Sequence, residues 1–468
     1  MKFRPVQYKF IRQENRLKSS FFLLEGAVNE ELIKAKPHDH LIDLLDYCSN
    51  IGGVNKRIYV KKPNGLKFMS MTDMMNYNSS ESCKNVSATI GINTLKHKFK
   101  RGMILASVVG GIGDVAMVDK WSQDAVTGNN IIKLYSQKEE INSLLYAYLK
   151  STYGNSIILK LGGGAVQSYI DPELFKKIPI PKFKEDFIFK INDLIQQSLI
   201  CRESSIEELI NTQKLLNDHL QIKNFTYEDF EYYGPRTYSR KVRVFKINIQ
   251  NFNLNSFKAF NYSETLAKRV SDLKEKHKVL PLIDVIDTKG LYHSSAFKRV
   301  EVSSGHGVEL INQKQIFNNI IKGKYVSKLY PKKSDYAVTN EILISGVGSM
   351  GEGDAYCRAV LVENFLRSKL LVGEFIRMKA KDIPTGYLYA WLSSPLAYRL
   401  IRSYSCGATL CRPIPYFLER LPIPILDKVL MDNINDRIIN IHNQKSRSVD
   451  LEQQAIDLIE KEIESWQK

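Results

Sequence analysis

The chain is written twice, and that repetition limits its possible folds more than any single motif does. The apolar run Ile104 to Ser107, leading to Gly110, Gly113 and Asp114, is answered by Ile342 to Ser345, leading to Gly348, Gly351 and Glu352. Ser107 and Ser345, Gly110 and Gly348, and Gly113 and Gly351 all stand 238 positions apart. Three later blocks match at a separation of 243: Leu144 to Leu149 with Tyr387 to Leu392, Gly164-Ala165 with Gly407-Ala408, and Ile178 to Pro181 with Leu421 to Pro424. Upstream, Leu41 to Asp46 matches Leu282 to Asp287 at 241. The order is the same in both halves, and the small drift in separation is what a surface loop tolerates. Between the blocks the copies diverge, as in 50–78 against 288–319, although both stretches are polar and basic. One scaffold with two different inserts is expected.

Each copy closes on an apolar-Pro-apolar-Pro block followed by a long segment free of internal Pro and Gly. From about Glu185 to Ile222 the residues Ile188, Ile191, Ile195, Leu199, Ile206, Leu209, Leu216 and Leu220 recur at helical steps. From about Asp427 to Trp466, Leu430, Ile434, Ile438, Ile441, Leu451, Ile459 and Ile463 do the same. Helices approaching forty residues would be about 55 to 60 Å long, more than a compact domain needs, and such helices usually pair. The prolines Pro179, Pro181, Pro422 and Pro424 keep the preceding chain extended and delay each helix start. The Tyr-rich stretch 223–243, with Gly234-Pro235, reads as an exposed connector.

Charge narrows the partner. Lys and Arg number 67 against 50 Asp and Glu, a net of +17, with pI near 9.3, which favours a polyanion, with nucleic acid first. A membrane is disfavoured because no stretch approaches the ~18 consecutive apolar residues of a spanning helix, and no signal-peptide core follows Met1. A cytoplasmic location is expected. Cys48, Cys83, Cys201, Cys357, Cys406 and Cys411 contain no C-x2-C pair, so buried reduced thiols are expected rather than zinc or disulfides.

Catalytic signatures are missing from the sequence. Asp171-Pro172-Glu173-Leu174 lacks the second proline and aromatic ring of an amino-methyltransferase motif and reads instead as a helix start. Gly162-Gly163-Gly164 continues into Ala165-Val166, with no lysine for a phosphate loop. His38, Asp39, His40 and Asp43 read as a charged loop rather than a metal cluster. Gly305-His306-Gly307 reads as a turn.

The doubled order of polar start, variable basic region, Gly-Asp/Glu turn after an apolar strand, Gly-Ala turn, Ile-Pro-Ile-Pro or Leu-Pro-Ile-Pro block and long helix resembles the specificity subunits of type I restriction-modification enzymes. The resemblance runs from about Asn15 to Trp466. It implies an α+β protein of two tandem homologous α/β target recognition domains separated by two long antiparallel coiled-coil helices, with pseudo-twofold symmetry. The corresponding segments are 1–184, 185–222, 223–243, 244–426 and 427–468. The resemblance further implies a non-catalytic subunit that binds a bipartite, asymmetric double-stranded DNA target. Its partners would be two methylation subunits and the restriction subunits. No cofactor would be bound by this chain itself; S-adenosylmethionine, ATP and Mg would belong to the partners. The alternative is the specificity subunit of a type IIB-like system, and a more distant one is a duplicated RNA-binding scaffold, which lacks support in any RNP1-like string.

Basic clusters in the divergent inserts are the candidate DNA contacts: Lys56, Arg57, Lys61, Lys62, Lys67, Lys96, Lys98, Lys100 and Arg101 in the first copy, and Lys298, Arg299, Lys322, Lys324, Lys332 and Lys333 in the second. Most would meet phosphates, which position without specifying. Base reading needs hydrogen-bonding side chains on well-held loops, and the turn around the Gly-Ala block offers Gln167, Ser168 and Tyr169, then Thr409 and Arg412.

Overall fold

The computed structural model describes residues 25–51, 57–60, 65–87, 97–163, 169–225, 246–249, 252–351 and 354–466. Of the connector at 223–243, residues 226–243 lie outside them. Contacts divide the chain into two units, 1–203 with 447–468, and 204–446.

Among the described residues of unit 1 come first α1 (Glu25–Lys34) and β1 (His38–His40), then β2 (Tyr47–Ser49), β3 (Tyr59–Val60), β4 (Leu66–Met69), the short α2 (Met71–Met74) and β5 (Lys84–Val86). Next come β6 (Ile104–Ser107), β7 (Val115–Met117), β8 (Val126–Thr127) and β9 (Ile131–Tyr135), then helices α3 (Glu139–Lys150), α4 (Thr152–Leu161) and α5 (Pro172–Phe175). The strand β10 (Pro179–Pro181) leads into α6 (Glu185–His219). The run Ile104–Ser107 is buried at every position, as a strand covered on both faces must be. It forms the centre of a sheet ordered β2-β9-β6-β7, antiparallel to both neighbours. A second sheet, β3-β5-β4-β8, has β4 antiparallel to β5 and parallel to β8.

Unit 2 repeats this plan. It contains α7 (Glu264–Lys276), β11 (Lys278–Pro281), β12 (Gly307–Ile311), β13 (Lys324–Ser327), β14 (Ile342–Ser345), β15 (Ala359–Leu361), β16 (Leu370–Leu371) and β17 (Phe375–Met378). Helices α8 (Thr385–Leu392) and α9 (Pro395–Ser403), the hairpin β18 (Ser405–Cys406) and β19 (Arg412–Pro413), α10 (Pro415–Glu419) and β20 (Pro422–Ile425) lead into α11 (Lys428–Ser465). Again the buried strand, β14, runs antiparallel to both neighbours, β15 and β17. Again the second sheet has a strand, β12, antiparallel to one neighbour, β13, and parallel to the other, β16. The divergent stretches therefore supply part of the second sheet of each unit: β3 and β4 fall within 50–78, and β12 within 288–319.

The proline blocks form strands for a physical reason. Proline lacks an N–H, so it is tolerated where only one side of a strand is paired. β10 pairs only with β1, setting His38 opposite Pro181 and His40 opposite Pro179, and β20 pairs only with β11, setting Pro281 opposite Pro422. The Asp171-Pro172 string does start a helix: Asp171 caps the Glu173 N–H and Pro172 occupies the first turn.

Main cores lie between the central sheet and the helices. In unit 1 Ile104, Ile132, Leu145, Tyr148 and Ile158 pack with Ile191, Ile195 and Leu199 of α6 and with Ala455, Ile459 and Ile463 of α11. In unit 2 Ile342, Tyr387, Trp391, Leu400 and Ile423 pack with Leu216 and with Met431, Ile434, Ile438 and Ile441. Within unit 1 the two helices meet at small residues, Ser198 Oγ donating to the Ser448 carbonyl at 2.7 Å and Ser448 Oγ returning to the Ser198 carbonyl at 2.8 Å. α6 ends without a glycine. Gln221 takes the left-handed conformation at φ 51° and the Ile222 N–H closes back on the Asn217 carbonyl at 2.9 Å. Among the described residues no helix is long and apolar enough to cross a membrane.

Candidate nucleic-acid interface

In unit 1 the second sheet and its flanks carry the basic residues that can be placed. Arg57 is exposed, with its guanidinium 4.8 Å from the Phe68 ring centroid. Lys67, on β4, is half-buried and donates to the Trp121 carbonyl at 2.9 Å. Lys98 is paired with Asp124 at 3.5 Å, and exposed Lys100 lies 5.0 Å from the Tyr135 ring. Arg101 is employed differently. Its Nε and Nη2 donate to both oxygens of Glu203 at 2.8 and 3.2 Å, and Glu203 also accepts the Lys120 N–H at 2.7 Å. The basic run that suggested Arg101 as a DNA contact conceals a structural tie to α6, whose acidic partner lies 102 residues away in sequence. Lys56, Lys61, Lys62 and Lys96 lie outside the described residues.

Unit 2 places all six of its basic candidates at the surface. Lys298, Arg299, Lys322, Lys324, Lys332 and Lys333 are exposed, and Lys324 is paired with Glu301 at 2.6 Å. The 298–302 segment runs beside β13, with the Ser327 N–H donating to the Val300 carbonyl at 2.9 Å and the Val302 N–H to the Tyr325 carbonyl at 3.0 Å. This places Lys298 against the Tyr330 ring at 5.8 Å.

The Gly-Ala loops are stitched to the glycine turns that follow the central strands. In unit 1 Tyr169 is exposed and exchanges two backbone hydrogen bonds with Gly163, both 2.8 Å, while the Ile170 N–H donates to the Val108 carbonyl at 2.9 Å. Gln167 and Ser168 lie outside the described residues. In unit 2 Thr409 sits exposed between β18 and β19, Arg412 is exposed on β19, and Cys411 exchanges backbone bonds with Gly348 at 2.7 and 3.1 Å. The turns themselves are held from below. Asn155 on α4 donates to the Gly113 carbonyl at 2.6 Å, where φ is 95°, and buried Arg402 on α9 reaches the Met350 and Gly351 carbonyls. Among the described residues, backbone hydrogen bonds thus fix Tyr169 in unit 1 and Cys411 in unit 2 beside the loops that carry these candidates.

Each central sheet carries a buried cation, and sequence reasoning missed both. Lys133 on β9 faces Leu105 across the ladder, and Arg377 on β17 faces Leu343, the residue equivalent to Leu105. Both are buried. Arg377 is forked on Glu341 at 2.8 and 3.0 Å and donates to the Ser334 and Tyr336 carbonyls. Lys133 donates to the Ile51 carbonyl, and burial pushes its ammonium down to about 8. Met103 occupies the position matching Glu341. Lys84 on β5 was also missed: it lies 5.4 Å from the exposed Tyr59 ring, a proximity made by the β3–β5 ladder and not by neighbours in sequence.

The four charged residues around β1 have local partners. His38 and His40 lie within hydrogen-bond distance of the Lys36 and Lys177 carbonyls, Asp43 accepts the His40 N–H, and Asp39 pairs with Lys182. Among the described residues no group of three or more His, Cys, Asp or Glu is placed to hold a metal ion.

Neither a family model nor a curated protein matches the chain. Solved structures do. The type I restriction-modification S subunit from M. genitalium is 14% identical, with 92% of each chain covered and a TM-score of 0.30. The HsdS subunit from Thermoanaerobacter tengcongensis is 12% identical, covering 91% of this chain and 95% of that one at a TM-score of 0.25. The type IIG restriction endonuclease BpuSI is 9% identical, covering 41% of this chain and 30% of its own at 0.30.

Proposed function

We propose that the chain is the DNA-recognition subunit of a restriction-modification system of type I, each unit reading one half of a split, asymmetric target. The observation that carries this reading is the repetition itself: one two-sheet plan occurs twice, and it diverges in basic segments that supply part of the second sheets. Two different readers on one chain imply two different half-sites, so a palindrome is not expected. A net charge of +17 supplies the phosphate attraction. The loops carrying Tyr169, Thr409 and Arg412 supply groups that can reach base edges. On this reading the chain is non-catalytic, and it recruits two methylation subunits, which use S-adenosylmethionine, and restriction subunits that use ATP and Mg.

The test is modification-sensitive sequencing of host DNA with and without the gene. The expected result is loss of one methylated motif consisting of two unlike halves separated by a fixed gap. A methylome unchanged by the deletion, or preferential binding of structured RNA over duplex DNA by the purified assembly, would overturn the reading.

A further inference from the structure

In unit 2 the loop between β13 and β14 carries Leu329, which is 85% exposed, beside the exposed ring of Tyr330. A single exposed leucine is ordinary. This one stands among cations: Lys328, Lys332 and Lys333 flank it along the chain, and the neighbouring 298–302 segment contributes Lys298 and Arg299, all exposed. The loop is also anchored in the protein interior. Asp335 is fully buried and accepts the Ser295 N–H at 2.6 Å, the Ser295 hydroxyl at 2.8 Å and the Lys332 N–H at 2.7 Å. Arg377, 1% exposed, donates to the Ser334 carbonyl at 2.7 Å and the Tyr336 carbonyl at 2.6 Å. On the other side of the tip the Leu329 N–H donates to Ser327 Oγ at 3.3 Å. An apolar tip is therefore held in water by a buried polar frame, with exposed cations on either side of it along the chain and on the neighbouring segment.

We propose that Leu329 is a wedge: phosphates of duplex DNA dock on Lys298, Arg299, Lys332 and Lys333, and the leucine side chain enters between adjacent base pairs of the half-site read by unit 2. The proposal rests on the DNA-recognition reading above and names a residue of that same site. Charge complementarity selects the occupant, because an apolar tip flanked by cations matches a polyanion whose interior is apolar and stacked. A wedge reads sequence through deformability, so the step it enters should be an easily unstacked pyrimidine-purine step.

The experiment uses the full chain assembled with its native partners and a duplex bearing the methylated motif, with 2-aminopurine placed at successive positions of each half-site. The expected result is a fluorescence rise at one step of one half-site. In Leu329→Ala that rise should disappear, with binding weaker by about tenfold and an unchanged salt slope. In Lys332→Gln/Lys333→Gln the rise should persist while the slope of log K against log salt falls by about two, one for each lost phosphate contact. Wild-type assembly that binds the duplex with no rise at any step overturns the wedge and leaves DNA recognition standing, as does a rise that survives in Leu329→Ala. Failure of the wild-type assembly to bind the duplex overturns both.

Discussion

Lys133 and Arg377 show how one position can be solved in two ways. Arg377 is neutralised by Glu341, whereas Lys133 has Met103 in that place and an ammonium pushed down to about 8 by burial. The sign follows from proton binding. An unfolded lysine titrates near 10.5, so between about pH 8 and 10.5 the unfolded chain holds a proton that folded Lys133 has released. Stability of unit 1 should therefore rise with pH through that window and be lowest below it. Lys133→Met should remove this dependence and stabilise unit 1 at pH 7 by on the order of 2 kcal/mol. Thermal melts at pH 7 and 9.5 check it, and equal pH slopes in variant and wild type would refute it. Glu341→Gln should act oppositely, leaving Arg377 buried without its countercharge at a cost of about 3 kcal/mol. Neither cation was legible in the sequence. Lys and Arg do not match as letters, and their equivalence rests on which leucine each faces across the ladder.

At the scale of elements, each unit is tied to a long helix by a charged contact, and the two ties have opposite polarity. In unit 1 the acid is on the helix: Glu203 of α6 holds Arg101 and the Lys120 N–H. In unit 2 the bases are on the helix: His442 and Lys445 of α11 hold Glu363 at 2.7 and 3.1 Å. Burial would raise the Glu363 carboxyl, but Lys445 and His442 hold it below the ordinary carboxylate range. Arg101→Ala and Glu203→Ala should show a coupling of about 1 to 2 kcal/mol in a double-mutant cycle by thermal melts. A coupling near zero would mean that the tie is incidental. The helices and proline strands were legible because periodicity and missing N–H groups are local properties. The tie was not, since Arg101 looked like one more member of a basic cluster until its distant partner was placed.

For the whole molecule, the repeat was the most readable feature, because Ser107, Gly110 and Gly113 recur as the same residue types in the same turns. The second sheets were unreadable, since they form in part from the segments in which the copies differ. Replacing about 15–185 by the equivalent region of a relative should change one half of the methylated motif and leave the other intact; changes in both halves would sink the two-reader model. Inserting four residues within α6 adds ~6 Å and a little over one turn, so the gap should lengthen by one or two base pairs with both halves retained. An insertion of two residues adds ~3 Å but rotates the downstream chain by ~200° and should cripple binding. Motif sequencing for each variant decides both, and an unchanged gap after the longer insertion would show that α6 does not set it.

The pairing of β1 with β10, and of β11 with β20, sets a strand that precedes both sheets of each unit beside the strand that leads into its long helix. The backbone between those strands leaves this ladder and returns to it, so each enclosed segment has its two ends side by side. On the proposed function such a segment would serve as a cassette, because an exchange across the codons of the two bordering strands would replace most of one reader without rerouting the chain. A new half-site would then follow from one genetic exchange instead of many compatible point changes.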